Sequence, residues 1–279
     1  IYIASCTRST NLPISADALQ LSIGGQQDGC IARFSSTLNT LQWCTYLGGS
    51  DSNEMPHSMF VSDDNELVVL GSTGSETYPT TANAFDTSFN GGNAFSGANN
   101  IQYTIGADIV VTRFVADGSD LAASTYLGGS GDDGLNLADE LTFNYADEAR
   151  GEVFLDNTGN VYICSSTNSI DFPTSEGAFQ PFSSGGIGSQ NGIIVKFNPT
   201  TNTENSFELP NIQSVDYGDL LIVNNSLFVT KRDYSDSSNY VHSLIEIDQE
   251  NGNTISSYDF VTLFPGSYSP ESLVFNEQT

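Results

Sequence analysis

Short runs of apolar and β-branched residues recur along the chain, each bounded by Gly, Ser, Asn, Asp or Pro. That pattern predicts β-strands covered on one or both faces and joined by turns. Helical periodicity is nearly absent; only Leu135-Asn-Leu-Ala-Asp-Glu-Leu141 predicts a helical turn or two. The expected strands are Ile1–Thr7, Gly29–Phe34 and Leu41–Leu47, then His57–Ser62, Leu67–Ser72, Asp108–Phe114 and Leu121–Leu127. A third set follows at Glu152–Asp156, Val161–Ser166, Gly192–Phe197 and Glu204–Leu209. A more divergent set comes at Asp219–Val223, Ser226–Thr230, Val241–Ile247 and Thr254–Phe260, with Ser272–Phe275 as one further strand. Ser35–Thr40, Ser62–Glu66, Val115–Ser119, Asn224-Asn225 and Glu250–Asn253 read as tight turns.

The strands belong to a repeat. Thr-Tyr-Leu-Gly-Gly-Ser occurs at Thr45–Ser50 and again at Thr125–Ser130, and Cys30–Phe34 stands to the first copy as Val110–Phe114 stands to the second. Ile193–Phe197 is a third relative of that strand, without the hexapeptide after it. Upstream lie three Pro-centred segments, Asn11–Gln20, Thr77–Asp86 and Asp171–Gln180, each preceded by a strand ending in Thr: Ile1–Thr7, Leu67–Thr73 and Val161–Thr167. Fixed order with variable spacing marks a repeat array with loop insertions. The insertions are Asn90–Thr104, read as a Gly/Asn-rich surface loop, and Leu135–Glu148.

Four short antiparallel strands per repeat predict an all-β protein, a β-propeller of four-stranded antiparallel blades. About four blade equivalents are expected over one region, 1–279: a partial blade at 1–50, inserted blades at 51–130 and 131–213, a divergent blade at 214–266, and an opening strand at 267–279. The array is read as part of a larger ring, since the chain opens within a repeat; a self-closed ring of four blades is the alternative.

Charge narrows the partners. Lys and Arg total 7 against 34 Asp and Glu, a formal charge of −27, which disfavours nucleic acid. No apolar run long enough to span a bilayer as a helix is present, so direct membrane insertion is not expected. Among the basic residues, Arg33, Arg113 and Lys196 share one repeat position.

Candidate chemistry is sparse. His57 and His242 stand in no nucleophile motif, and paired carboxylates such as Asp63-Asp64 and Asp132-Asp133 read first as turn chemistry. Asp132, Asp133 and Asp156 are the metal candidates, as oxygen ligands for Ca²⁺, with Asp248, Glu250, Asn251 and Asn253 a second set; neither has EF-hand spacing. No catalytic residue and no other cofactor is expected. Cys6, Cys30, Cys44 and Cys164 allow three pairings, but buried free thiols are the expected state; the alternative is a hairpin turning at Ser35–Thr40 that sets Cys30 and Cys44 opposite one another, with Cys6 competing for Cys30. Tyr78, Phe85, Phe172 and Phe179 recur beside Pro and are expected to pack the connections rather than to form a carbohydrate platform; Tyr46 and Tyr126 are expected to be structural. Trp43 aligns with Ala123 and reads as an outer-strand plug or a contact residue.

The two Thr-Tyr-Leu-Gly-Gly-Ser segments, Asp156–Ile163 and Asp171–Phe179 together resemble the SBBP repeat, a seven-bladed β-propeller repeat of bacterial surface proteins. The resemblance covers about 1–210, and the rest by rhythm. It implies part of a large secreted surface protein of the kind found in Bacteroidetes, exported by type IX secretion and associated with gliding motility. The function expected is a non-catalytic extracellular scaffold or adhesion module, its partner a protein or glycan at the cell surface or the secretion and gliding machinery. A polysaccharide hydrolase or lyase with its site at one end of the propeller is the alternative. The two insertions are the candidate recognition loops.

Overall fold

A computed structural model describes the chain except residues 63–64, 98–100, 138–147, 150, 157, 177, 179, 184–188, 199–203, 209–214, 224–225, 234–240, 249–252 and 260–279. The expected Ser272–Phe275 strand, the Asn224-Asn225 turn and most of the Leu135–Leu141 segment lie outside the described residues. The chain divides into two compact units, Ile1–Gly134 and Leu135–Thr279. Among the described residues there is no helix.

The first unit holds two main sheets, each an antiparallel meander. β1 (Tyr2–Thr7), β2 (Asp28–Phe34) and β3 (Leu41–Leu47) form the first. β4 (Glu54–Val61), β5 (Leu67–Thr73), β8 (Asp108–Phe114) and β9 (Leu121–Leu127) form the second. Between β5 and β8 the Asn90–Thr104 insertion is not a bare loop: it makes a small hairpin of β6 (Phe95–Ser96) and β7 (Gln102–Tyr103). Its Ile101 and Tyr103 are buried, and burying them supplies the apolar anchor that a Gly/Asn-rich reading overlooks. β4 starts before the expected His57, because a register shift between Pro56 and Ser58 lets the proline sit in the strand without a ladder hydrogen bond.

In the second unit β10 (Glu152–Leu155), β11 (Val161–Thr167), β12 (Asn191–Phe197) and β13 (Glu204–Glu208) form one four-stranded meander. β14 (Val215–Val223), β15 (Ser226–Asp233), β16 (Val241–Ile247) and β17 (Thr254–Asp259) form the other.

Both units stack their sheets by the same repeat positions. In the first, Ile31 and Trp43, with Tyr2 and Ala4, pack on Leu67, Val69, Val110, Phe114 and Tyr126 of the second sheet. In the second, Tyr162, Cys164 and Ile194 pack on Leu227, Val229, Ile245 and Ile247. Tyr2 and Tyr162, Ala4 and Cys164, and Ile31 and Ile194 occupy equivalent places. The shared basic position is equivalent too, with Arg33 over the Tyr2 ring at 5.2 Å and Lys196 over Tyr162 at 5.6 Å. In the second sheet no tyrosine stands at that place, and Arg113 pairs with Glu66 instead. Trp43 is a plug: its ring stacks on Phe114 and meets Tyr2 edge-on.

Register corrects the cysteine expectation. Cys30 lies opposite Tyr46 and Cys44 opposite Ala32, so the two are diagonal neighbours on one face. Cys6 lies opposite Gly29, which turns it to the other face and removes it as a competitor for Cys30. All four cysteines are free thiols in this structure.

The β2–β3 and β8–β9 hairpins close alike, with Ser35 N–H on Thr40 O and Val115 N–H on Asp120 O. The left-handed position is Leu38 (φ 58°) in one and Gly118 (φ 74°) in the other. A side chain there is strained by about 1–2 kcal/mol. Leu38→Gly is therefore expected to raise stability by roughly 0.5–1 kcal/mol, because relief of strain exceeds the extra backbone entropy. Gly118→Ala is expected to lower it by more than about 1 kcal/mol, since the new methyl also lies 2.6 Å from Trp43 Cε2. Urea unfolding midpoints of the two variants should move in opposite directions.

Candidate functional site

The repeat motif builds a hydrogen-bonded strap on each outer strand of the first unit. β3 and β9 are sheet edges whose free N–H and C=O groups need partners. The Pro-centred segments supply them. Ser15 N–H donates to Cys44 O (3.0 Å) and Thr81 N–H to Ser124 O (3.0 Å). Cys44 N–H returns a bond to Ser15 Oγ (2.9 Å), and Ser124 N–H to Thr81 Oγ1 (3.2 Å). Tyr46 N–H donates to Gln20 O (3.3 Å) and Tyr126 N–H to Asp86 O (3.1 Å). Thr45 Oγ1 accepts from Gln20 N–H (3.0 Å) and Thr125 Oγ1 from Asp86 N–H (2.9 Å).

The motif tyrosine locks the start of each strap. Tyr46 Oη donates to Ser9 O at 2.7 Å and accepts from Leu12 N–H at 3.4 Å. Tyr126 Oη donates to Ser75 O at 2.8 Å and accepts from Tyr78 N–H at 2.9 Å. Thr7, Thr73 and Thr167 end their strands by accepting through Oγ1 from the amides of Ser9, Ser75 and Ser169. A turn within the strap recurs in both units: Ala18 on Ser15 O, Ala84 on Thr81 O, Ala178 on Ser175 O. Tyr78 and Phe172 are buried as expected, whereas Phe85 is 40% exposed and Phe179 lies outside the described residues.

Two buried carboxylate pairs flank the first glycine of each Gly-Gly. Asp28 accepts from the Gly24 and Gly25 amides, and Asp108 from the Asn90 and Gly91 amides. Beside them stand Glu54, which accepts from Thr73 Oγ1 at 2.8 Å, and Asp133, which accepts from Gly129 N–H at 2.7 Å. A methyl group on Gly48 would meet Asp28 and Glu54, and one on Gly128 would meet Asp108 and Asp133. Burial pushes the Glu54 pKa up to about 8 against the Thr73 bond, with the Asp28 and Asp51 charges adding to the rise. Burial likewise takes Asp108 to about 7 against the Asn90 and Gly91 bonds, helped by Asp86 and Asp132. Oε2 of Glu54 has no protein partner, and the residue is 2% exposed. A cavity of about 10 Å³ bordered by Glu54, Met55, Leu47 and Tyr78 is at the lower limit for one water.

A Ser–His contact does assemble in space. His57 Nε2 lies 3.0 Å from Ser72 Oγ, which lies 2.9 Å from Tyr103 Oη. Ser72 and Tyr103 are both 0% exposed, so no substrate carbonyl reaches the hydroxyl. Nδ1 of His57, where a triad would place a carboxylate, has no partner, and burial takes the ring's pKa down to about 3. The chain of three groups is a buried tie between β4, β5 and the β6–β7 hairpin.

The expected Ca²⁺ residues occupy different settings. In the first unit Asp132 and Asp133 are buried; Asp132 accepts from Ala107 N–H, and Asp133 N–H donates to Ala107 O. In the second unit Asp156 holds the β10–β11 turn, accepting from Thr158, Asn160 and the Tyr162 hydroxyl. Partial burial alone would raise its pKa, but the Asn160 and Thr158 bonds outweigh that and lower it. Asp248 donates its amide to Asn253 O across the last turn, while Glu250 and Asn251 lie outside the described residues. Among the described residues no group of three or more His, Cys, Asp or Glu is placed to hold a metal ion. His242 is on β16, opposite Arg232 of β15.

Sequence reasoning passed over Asp28, Asp108 and Glu54. The signal for the first two was present, as both open the strand ending in Arg-Phe. Glu54 was hidden because its counterpart Asp133 is a different residue at a shifted place after Gly-Gly-Ser. No protein-family model matches the chain, and no curated protein matches it in sequence.

The carboxylates set a pH dependence. Glu54 and Asp108 have folded pKa values above their unfolded ones, so the stability they contribute is complete below about pH 4 and is lost as pH rises through 7 and 8. His57 acts oppositely, its contribution being lost as pH falls from about 6.5 toward 3. Between pH 6.5 and 9 the carboxylates govern, and the thermal midpoint is expected to fall. In Glu54→Gln the fall should shrink by an amount on the order of a few kcal/mol in unfolding free energy at pH 9. A flat wild-type profile over that range contradicts the assignment.

Proposed function

We propose that the chain is a run of SBBP-type propeller blades within a larger ring, serving as a non-catalytic extracellular scaffold or adhesion module. The observation that carries the non-catalytic reading is the commitment of the motif's polar groups to structure. Tyr46 and Tyr126, Thr45 and Thr125, and Asp28 and Asp108 each bond the equivalent partner in both repeats of the first unit. Groups spent on straps and loop amides are not offered to a substrate.

Face-by-face stacking supports the blade reading. Leu67 and Val69, at 1% and 2% exposure, lie under the first sheet, whereas Ile1 and Ile3 at the equivalent places are 52% and 43% exposed. A face covered in one repeat and open in its equivalent fits a longer stack. Within a type IX secreted surface protein, such a stack would hold recognition loops at fixed positions, with a glycan or protein as partner.

The β6–β7 hairpin is the presented element, since it departs from the repeat yet is tied down by Asn53 Nδ2 on Gln102 O (2.6 Å) and by stacking of Phe95 on Tyr103. Ser96 and Gln102 are exposed on it, and Ile105 just beyond. The chain should be tested by surface plasmon resonance against immobilised polysaccharides and extracellular-matrix proteins. Gln102→Ala with Ile105→Asp is expected to reduce binding at least tenfold while the thermal midpoint stays within about 2 °C. Polysaccharide cleavage by the wild type would replace this reading with the hydrolase or lyase alternative.

A further inference from the structure

We propose that Cys30 and Cys44 are a redox modification site, closing to a disulfide across β2 and β3 in the presence of a low-molecular-weight disulfide. The two lie on one face of adjacent strands in diagonal register, Cys30 opposite Tyr46 and Cys44 opposite Ala32. The other cysteines are excluded as partners by place. Cys6 lies on the opposite face of the sheet, opposite Gly29, and Cys164 is buried in the core of its own unit. The pair is also particular to this sheet: the equivalent positions of the second sheet hold Val110 and Ser124, which pack without any bridge to make.

Access differs across the pair in the way an exchange reaction needs. Cys30 is half-buried on the same open face as Ile3, while Cys44 is buried under the strap. The first step falls to Cys30: its thiolate attacks one sulfur of oxidised glutathione and expels one glutathione thiolate. Cys44 then attacks the Cys30 sulfur of that mixed disulfide and expels the second. Each protein thiol loses one hydrogen, and one oxidised glutathione becomes two reduced molecules. Burial takes Cys30 to about 12, with Cys44 adding to the rise, so thiolate is scarce near neutrality and closure is slow there.

Diagonal neighbours sit about 7–8 Å apart, beyond the span of a relaxed cystine, and the offset runs along the strands, so closure slides β3 along β2. The register shift between Arg33 and Phe34, beside the pair, gives the hairpin a place to absorb that movement. The bond would fasten the strap-bearing edge strand to the centre of its sheet. This inference does not depend on the scaffold reading.

The test is to incubate the folded, reduced chain with oxidised glutathione at pH 8.5 and map peptides by mass spectrometry. The expected product links the Cys30 and Cys44 peptides with loss of two hydrogens and no retained glutathione. Its thermal midpoint should rise by about 5 °C and return on reduction. Cys6→Ser should leave the product unchanged, and Cys44→Ser should stop at a glutathione adduct on Cys30. A persistent adduct on wild-type Cys30, a link through Cys6 or Cys164, or no reaction overturns the proposal; the wild-type map decides even if Cys44→Ser does not fold.

Discussion

The free edge of a β-strand is the constraint on which the first unit depends. Every short meander ends in a strand with one unpaired row of N–H and C=O groups, a template for association with other chains. Here the preceding connection returns along that row. A Pro-centred strap takes the amide and carbonyl of Cys44 or Ser124 and the amide of Tyr46 or Tyr126. The tyrosine hydroxyl then holds the strap's own first residues, bonding one carbonyl and one amide. One phenol thus joins the end of a sheet to the loop that protects it.

Burial and polarity are reconciled in the same few residues. Once strap and loop cover the sheet ends, Asp28 and Asp108 lie in the interior, where their oxygens serve as fixed acceptors for loop amides that would otherwise be orphaned. The neighbouring Glu54 finds one hydroxyl donor and holds its proton into the neutral range because burial penalises its charged form, with the Asp28 charge adding to the rise. Gly48 and Gly128 are required by this arrangement, since any side chain there would occupy the space between the carboxylates. The first glycine of the motif's Gly-Gly is thereby explained by packing rather than by turn conformation.

Strand positions were legible because short apolar runs between Gly, Asn and Pro leave few alternatives, and the repeat fixed their order. The Arg33 and Lys196 equivalence was legible as a shared letter class, and both cations sit over the tyrosine of the adjacent strand. Register was not legible. Cys30 and Cys44 fall on a diagonal because of where the hairpin closes and where the bulge lies, neither of which composition reveals. The insertion at Asn90–Thr104 misled for a related reason: its Gly and Asn dominate the count, while Ile101 and Tyr103 carry the burial. The His57–Ser72–Tyr103 tie was invisible because its members come from three separate segments.

Native-state hydrogen exchange reads the strap's dependence on the tyrosine hydroxyl amide by amide. The Tyr78 amide is bonded to the Tyr126 hydroxyl and precedes a proline, outside any strand ladder. If the tyrosine holds the strap closed, Tyr78 exchanges as slowly as the β8 amides, and Tyr126→Phe accelerates Tyr78 and Thr81 by at least tenfold while β8 amides change far less. If Tyr78 exchanges at the rate of an open loop in the wild type, or is unmoved by removal of the hydroxyl, the strap does not depend on the tyrosine and the account is wrong.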